Sequence, residues 1–194
     1  MKDKTLWIMV GPPGIGKSWF VKNHLIRGLG WRYVSRDKVR FSIVSEDEDY
    51  FTKEEIVFKR FIAALKSAMD EDGVFNIVAD ATHINWGSRS KLLKALGQLE
   101  TQTIDIIPVV ITADVVDAIN RNESREAREV VPRSVVRRMY GNTTDPKTDN
   151  FKYTAIMYVD NSINHYTEKK QVMRHKSDIK MKEIPIKDVI DKGV

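Results

Sequence analysis

The chain has 194 residues, of which 42% are hydrophobic, 30% charged and 9% aromatic: enough for one ordinary domain with its own core, and a balance that argues against a disordered chain or a membrane protein. It has no cysteine, which removes disulfides, thiolate nucleophiles and Cys-based zinc sites, and His24, His83, His165 and His175 are scattered without metal-ligand spacing. A net charge of +5 and a pI near 9.3 suit a phosphate-rich partner through counterion release, or serve solubility alone.

Met1-Lys2-Asp3-Lys4 runs into an apolar stretch without a secretory cleavage site, so a cytoplasmic protein is expected. Thr5 to Val10 reads as a strand, followed by a Gly/Pro loop and a helix from Lys17 to about Arg27. Trp31 to Val34 is a second strand, and Ser35 is placed to cap a helix running through Arg40 and Ile43. Phe51 to Met69 carries Phe58, Phe61, Ile62 and Leu65 at helical spacing, and Phe75 to Ala79 is a short buried strand. Trp86 to Leu99 is helical, Ile104 to Ile111 is an apolar strand, and Ala113 to Asn122 is helical again. Ser124 to Val130 is short and charged, as a lid over a site often is; Pro132 to Tyr140 opens as a helix, and Thr154 to Val159 is a last core strand.

Alternating β and α elements whose strands are apolar on both faces predict an α/β fold, a parallel sheet with helices on both faces in three layers. Ligands of such folds sit at the carboxyl ends of the strands. One domain over 1–160 is expected, with the lid at about 121–131. Residues 161–194 form a tail or an extension of the same domain, and leave a homo-oligomer contact or a docking element open.

Gly11-Pro12-Pro13-Gly14-Ile15-Gly16-Lys17-Ser18 has the glycine, four-residue and Gly-Lys-Ser spacing of a phosphate-binding loop, between a predicted strand and a predicted helix. Backbone N–H groups curl around the β-phosphate, and a glycine such as Gly16 lets the main chain come close. Lys17 supplies a charge for the β- and γ-phosphates, the Ser18 hydroxyl ligates magnesium, and the helix N-terminus adds its dipole. ATP and Mg2+ are therefore expected, in a P-loop kinase fold. Asp80, ending the third strand, is placed to sit near the magnesium. No glutamate follows it to activate water, which favours transfer over hydrolysis.

Asp37 and Arg40, in the first turns of the second helix, share a face. The carboxylate could accept the proton of an attacking hydroxyl and the guanidinium could hold an anionic part of the acceptor, although an acid is favoured in a first helical turn anyway. Arg121, Arg125 and Arg128 fall on one helical face if the helix continues into the charged segment, where an arginine can close over the triphosphate. A solvated face interleaved with Glu123, Glu126 and Glu129 is the plainer reading. Trp19, Trp31 and Trp86 could stack on bases or pack in the core.

The order of Gly-x-x-Gly-x-Gly-Lys-Ser, Ser-Arg-Asp-x-x-Arg-x-Ser-Ile (35–43), Asp-Ala-Thr-x-x-Asn (80–85), and Arg-Asn-x-x-Arg (121–125) leading to Val131-Pro132 and Met139-Tyr140 resembles the 5′-polynucleotide kinase domain of T-even phage end-healing enzymes. Over residues 5 to 142 the resemblance implies a kinase of DNA or RNA 5′-hydroxyl ends. Asp37 would be its general base and Arg40 the contact to the neighbouring 3′ phosphate. It implies Arg125 as the lid arginine, with Arg121 and Arg128 open because one residue more than expected precedes Val131, and Thr82 and Asn85 bordering the acceptor channel unless they cap the next helix. The phosphatase signature of the bifunctional enzymes is missing. A kinase of a nucleoside, sugar or antibiotic, and an ATP-sensing nucleic-acid binding module, remain rivals.

Overall fold

Strand β1, Thr5–Val10, turns successive side chains to opposite faces of a sheet: Leu6, Ile8 and Val10 enter one apolar cluster, Trp7 and Met9 the other. The computed structural model describes residues 4–162 apart from Glu46 and Tyr50, and the backbone of 172–174. Strands β2 (Trp31–Ser35), β3 (Asn76–Asp80), β4 (Asp105–Thr112) and β5 (Ala155–Asp160) join β1 in the order β2-β3-β1-β4-β5, all parallel. A short β6 (Val172–Arg174), inside the predicted tail, pairs antiparallel with β5.

Helices cover both faces. On one, α3 (Glu54–Asp70) and α4 (Trp86–Ala95) bring Phe61, Leu65, Leu92 and Leu93 against Leu6 and Ile8. On the other, α1 (Lys17–Phe20), its continuation to Leu25, and α5 (Val115–Glu123) bring Phe20, Val21, Leu25 and Ala118 against Met9 and Val109. Each fully buried Val, Leu, Ile, Met or Phe side chain among them contributes roughly 1.5–3 kcal/mol. Helix α6 (Arg133–Gly141) packs on α5 through Val136, Ile119 and Val131. Because β1 lies between β3 and β4, the crossovers on its two sides leave in opposite senses, and a crevice opens at its carboxyl end.

Several helix ends fall elsewhere than expected. The first helix stops at Leu25, not Arg27: Ile26 N donates back to Val21 O, a turn one residue wider than α, and Ile26 is extended. α4 ends at Ala95, not Leu99, because Gly97 takes φ +71° and the amides of Gly97 and Gln98 close on the carbonyls of Lys94 and Leu93, a Schellman closure. α3 begins at Glu54 rather than Phe51. α5 ends at Glu123, so the lid residues do not continue it; only 127–129 make a short tight turn. The buried Asn122 amide fixes the far end of that segment, donating to Val131 O (2.7 Å) and accepting from Val131 N (3.2 Å).

Candidate active site

The loop after β1 needs glycine for packing as well as for phosphate. Gly14 has φ +76°, and a Cβ there would run into the Ala118 carbonyl of α5; Gly16 has φ +99° and lies under the Asn161 side chain. Gly11 N donates to Thr82 O (2.9 Å), joining the loop to the end of β3. Lys17 folds back, its ammonium donating to Pro12 O (2.8 Å). Burial pushes that ammonium down to about 8, opposed by the Asp80 and Asp37 carboxylates and reinforced by Arg125.

Asp80 and Ser35 are register partners at the carboxyl ends of β3 and β2, which brings Asp80 and the start of the helix after β2 to the same end of the sheet. Asp80 Oδ2 accepts from Ser18 Oγ (2.7 Å) and from the Tyr33 hydroxyl (2.5 Å); burial, then the Asp80 carboxylate, raise the Tyr33 phenol. A hydroxyl and a carboxylate in contact are a hard donor pair that fits magnesium when phosphates and water complete its shell. Among the described residues no group of three or more His, Cys, Asp or Glu could hold a metal by itself.

Helix α2 (Arg36–Phe41) starts at Ser35, whose hydroxyl accepts from Lys38 N (3.3 Å). Arg40, only 4% exposed, donates from Nη1 to Asp37 Oδ1 (2.5 Å) and from Nε and Nη2 to Glu54 Oε1 (3.0 and 2.5 Å). Arg36 Nη2 donates to Glu54 Oε2 (2.6 Å), while Arg36 Nε is buried without a hydrogen-bond partner. The guanidinium expected to meet an acceptor phosphate is thus already held by two carboxylates, and an incoming anion must share or exchange them. Glu54, at the start of α3, was not legible in the sequence as a site residue.

Lys17, Ser18, Asp37, Arg40, Asp80, Thr82, Arg121 and Arg125 all line one cleft of about 530 Å3, with Arg36 and Glu54. The single helical face drawn through Arg121, Arg125 and Arg128 does not exist, since α5 ends at Glu123; Arg128 lies over the Phe41 ring at 4.2 Å and does not line the cleft. Arg121 Nη2 donates to Asn161 O (2.9 Å), and its Nη1 is buried without a hydrogen-bond partner. Asn161 Nδ2 donates to Ile15 O (2.9 Å), so a residue just past the expected domain boundary clasps the glycine loop. Asn85 caps α4, accepting from Ser88 N (3.0 Å), and is not among the cleft residues: the capping alternative holds for it. Trp31 stacks on Trp7 and Trp86 packs against the core, whereas Trp19 is half exposed in the cleft.

His83, beside Thr82, is buried with φ +38° and its Nδ1 is 3.1 Å from Met9 O. Burial, ahead of the nearby Arg36, Lys17 and Arg89 charges, pushes its imidazole down from 6.5 to about 3. The unfolded chain therefore binds a proton that the fold refuses between those values, and stability falls as pH drops through the window by about 1.4 kcal/mol per unit. In urea unfolding from pH 7 to 4, His83→Asn, which tolerates the positive φ, is expected to remove most of this slope; an unchanged slope would reject His83 as its source.

Residues 6–146 match the AAA domain family. The chain belongs to that family. No curated protein matches it significantly. Among solved structures it is similar to a chain of the Pnkp1/Rnl/Hen1 RNA repair complex, at 23% identity and a TM-score of 0.57 over 73% of this chain and 44% of that one. It is also similar to a putative kinase from Chloroflexus aurantiacus (13%, TM-score 0.62, 99% and 94% of the two chains) and to a fungal RNA kinase (14%, 0.54, 85% and 78%). The chain spans under half the length of the repair-complex chain, and at these identities the likeness is one of fold: the α/β fold of P-loop kinases, with its nucleotide-binding loop. Among the described residues no helix is long and apolar enough to cross a membrane.

Proposed function

We propose that this chain is a polynucleotide 5′-hydroxyl kinase of the T-even phage end-healing type, moving the γ-phosphate of ATP to a DNA or RNA 5′ end. The observation that carries the reading is the shared cleft: the Asp37–Arg40–Glu54 cluster faces the Lys17, Ser18 and Asp80 side of the glycine loop. The RNA repair and RNA kinase structures that share the fold support it, as does the order of motifs along the chain.

In this reading the triphosphate lies along the loop amides, with Lys17 at its β- and γ-phosphates and Arg121 and Arg125 over them. Ser18 and Asp80 would hold magnesium, which supplies neutralising charge at the phosphates. Asp37 accepts the proton of the 5′-hydroxyl as its oxygen bonds to the γ-phosphorus and the bond to the β-bridging oxygen breaks, releasing ADP. Arg40, steadied by Glu54, orients that carboxylate and meets the acceptor's 3′ phosphate, and Thr82 borders the acceptor.

The test is γ-labelled ATP and magnesium with a 5′-hydroxyl oligonucleotide, a 3′-phosphorylated nucleoside and a plain nucleoside. Label is expected on the first two and little on the third. Preferred turnover of the plain nucleoside or of a sugar would make this a small-molecule kinase; ATP binding with no label on any acceptor would leave a nucleotide-sensing binding module.

A further inference from the structure

Two large aromatic side chains at the cleft remain in contact with solvent. Trp19 is 46% exposed and Phe51 49% exposed, and both line the cleft that contains Asp37 and Arg40. Rings of this size half exposed beside a concave polar site offer surface that a ligand can cover. Trp19 is also braced: the widened turn at 21–25 sets the His24 ring 4.9 Å from Trp19 and 5.7 Å from Phe20, and such turns recur at functional sites. Phe51 precedes α3 by a short turn in which its N–H donates to Asp49 Oδ1 (2.8 Å), close in sequence to the Glu54 that anchors Arg36 and Arg40.

A flat apolar group alone would not explain the cations beside these rings. Arg36 Nε is a buried donor without a hydrogen-bond partner, on a side chain lining the same cleft; a donor so placed points to an acceptor oxygen brought by the ligand. A nucleotide presents both features, a π face and an anionic oxygen. A sugar has no π face, and a plain nucleoside has no anion.

We propose that Trp19 and Phe51 form a base-stacking subsite for the terminal nucleoside of the acceptor, with Arg36 joining Arg40 at the phosphodiester that follows it. This deepens the polynucleotide kinase reading and rests on it. Stacking accepts any base, so the subsite selects nucleic-acid ends as a class without selecting their sequence.

Binding and transfer are measured separately, so that the two readings can fail separately. Tryptophan fluorescence is titrated with a 5′-hydroxyl oligonucleotide and with the same strand made abasic at its 5′-terminal position. The intact strand is expected to quench fluorescence, Trp19→Phe to abolish the quench, and the abasic strand to bind about tenfold or more weakly. In steady-state transfer, Trp19→Ala and Phe51→Ala are expected to raise KM for the intact strand by about that factor and to leave KM for the abasic strand and for ATP unchanged. A merely structural role would raise both strands' KM together. Phe51→Leu, which keeps bulk without a π face, repeats the comparison if Phe51→Ala is unstable. Equal affinity of the wild type for the two strands would overturn the subsite, even with the kinase intact. Discrimination in binding without any transfer would support the subsite and remove the kinase.

Discussion

Asp37→Asn is expected to lower kcat for transfer to a 5′-hydroxyl strand by about 10²–10⁴-fold, the range supplied by a positioned general base, with KM for ATP little changed. The substitution isolates the proton-accepting role. Asn is nearly isosteric with Asp, and its carbonyl oxygen can still accept from Arg40 Nη1, as Asp37 Oδ1 does at 2.5 Å; what it loses is the ability to take a proton. If Asp37 served only to orient Arg40, the Asn variant would keep most of its rate and Asp37→Ala would lose it. A base predicts that Asn and Ala fall together. An Asn variant within about tenfold of wild type, well under the general-base range, would remove Asp37 from that role and turn attention to the Glu54 carboxylate in the same cluster. Single-turnover measurement with saturating ATP is the fitting readout, because slow product release can otherwise hide a loss in the chemical step.

The parts of the site that could be read from sequence are those whose chemistry is set by short spacing. The glycine loop, Lys17 and Ser18 follow one another between a strand and a helix, so the motif carries its own geometry. Asp80 was legible because a strand of apolar residues ended there, and Ser35 as a cap because its hydroxyl serves an amide three residues on. Contacts that close across the fold gave no local signal. Glu54 and Glu55 are both acids in the first turn of α3; packing against α2 sends Glu54 to Arg36 and Arg40, while Glu55 pairs with Lys59 on the surface. Asn161 reaches Ile15 across 146 residues of sequence, a contact with no neighbouring residue to announce it. A common face for Arg121, Arg125 and Arg128 depended on the helix continuing into the charged segment. The Asn122 amide binds Val131 instead, so the chain turns back, and only Arg121 and Arg125 of the three arginines line the cleft.

The second large effect lies away from the chemistry, at an ion pair with no accessible surface on either side chain. Arg89, on α4, donates through Nε and Nη2 to Asp149 (2.6 Å each), through Nη1 to His83 O (2.9 Å) and through Nη2 to Thr144 Oγ1 (3.0 Å). Tyr153 adds its hydroxyl to Asp149 Oδ2 (2.7 Å), and burial followed by the Asp149 carboxylate raises its phenol well above the ordinary value. Arg89→Met leaves the carboxylate buried with the tyrosine hydroxyl as its chief remaining donor, and is expected to cost about 3–5 kcal/mol, a large part of the 5–15 kcal/mol that holds a domain together. The double variant Arg89→Met/Asp149→Leu removes the stranded charge as well and is expected to lie closer to wild type than Arg89→Met does, the ordering that separates the penalty of an unpaired ion from the worth of the pair. Urea unfolding of the four proteins of this cycle gives the comparison, and a double variant less stable than both single ones would refute it. The same network reaches the site, because His83 follows Thr82, whose carbonyl accepts from Gly11 N in the glycine loop. In the folded fraction of Arg89→Met, KM for ATP is therefore expected to rise, while the exposed pair of Lys59 and Glu55 can be broken with little effect on either stability or KM.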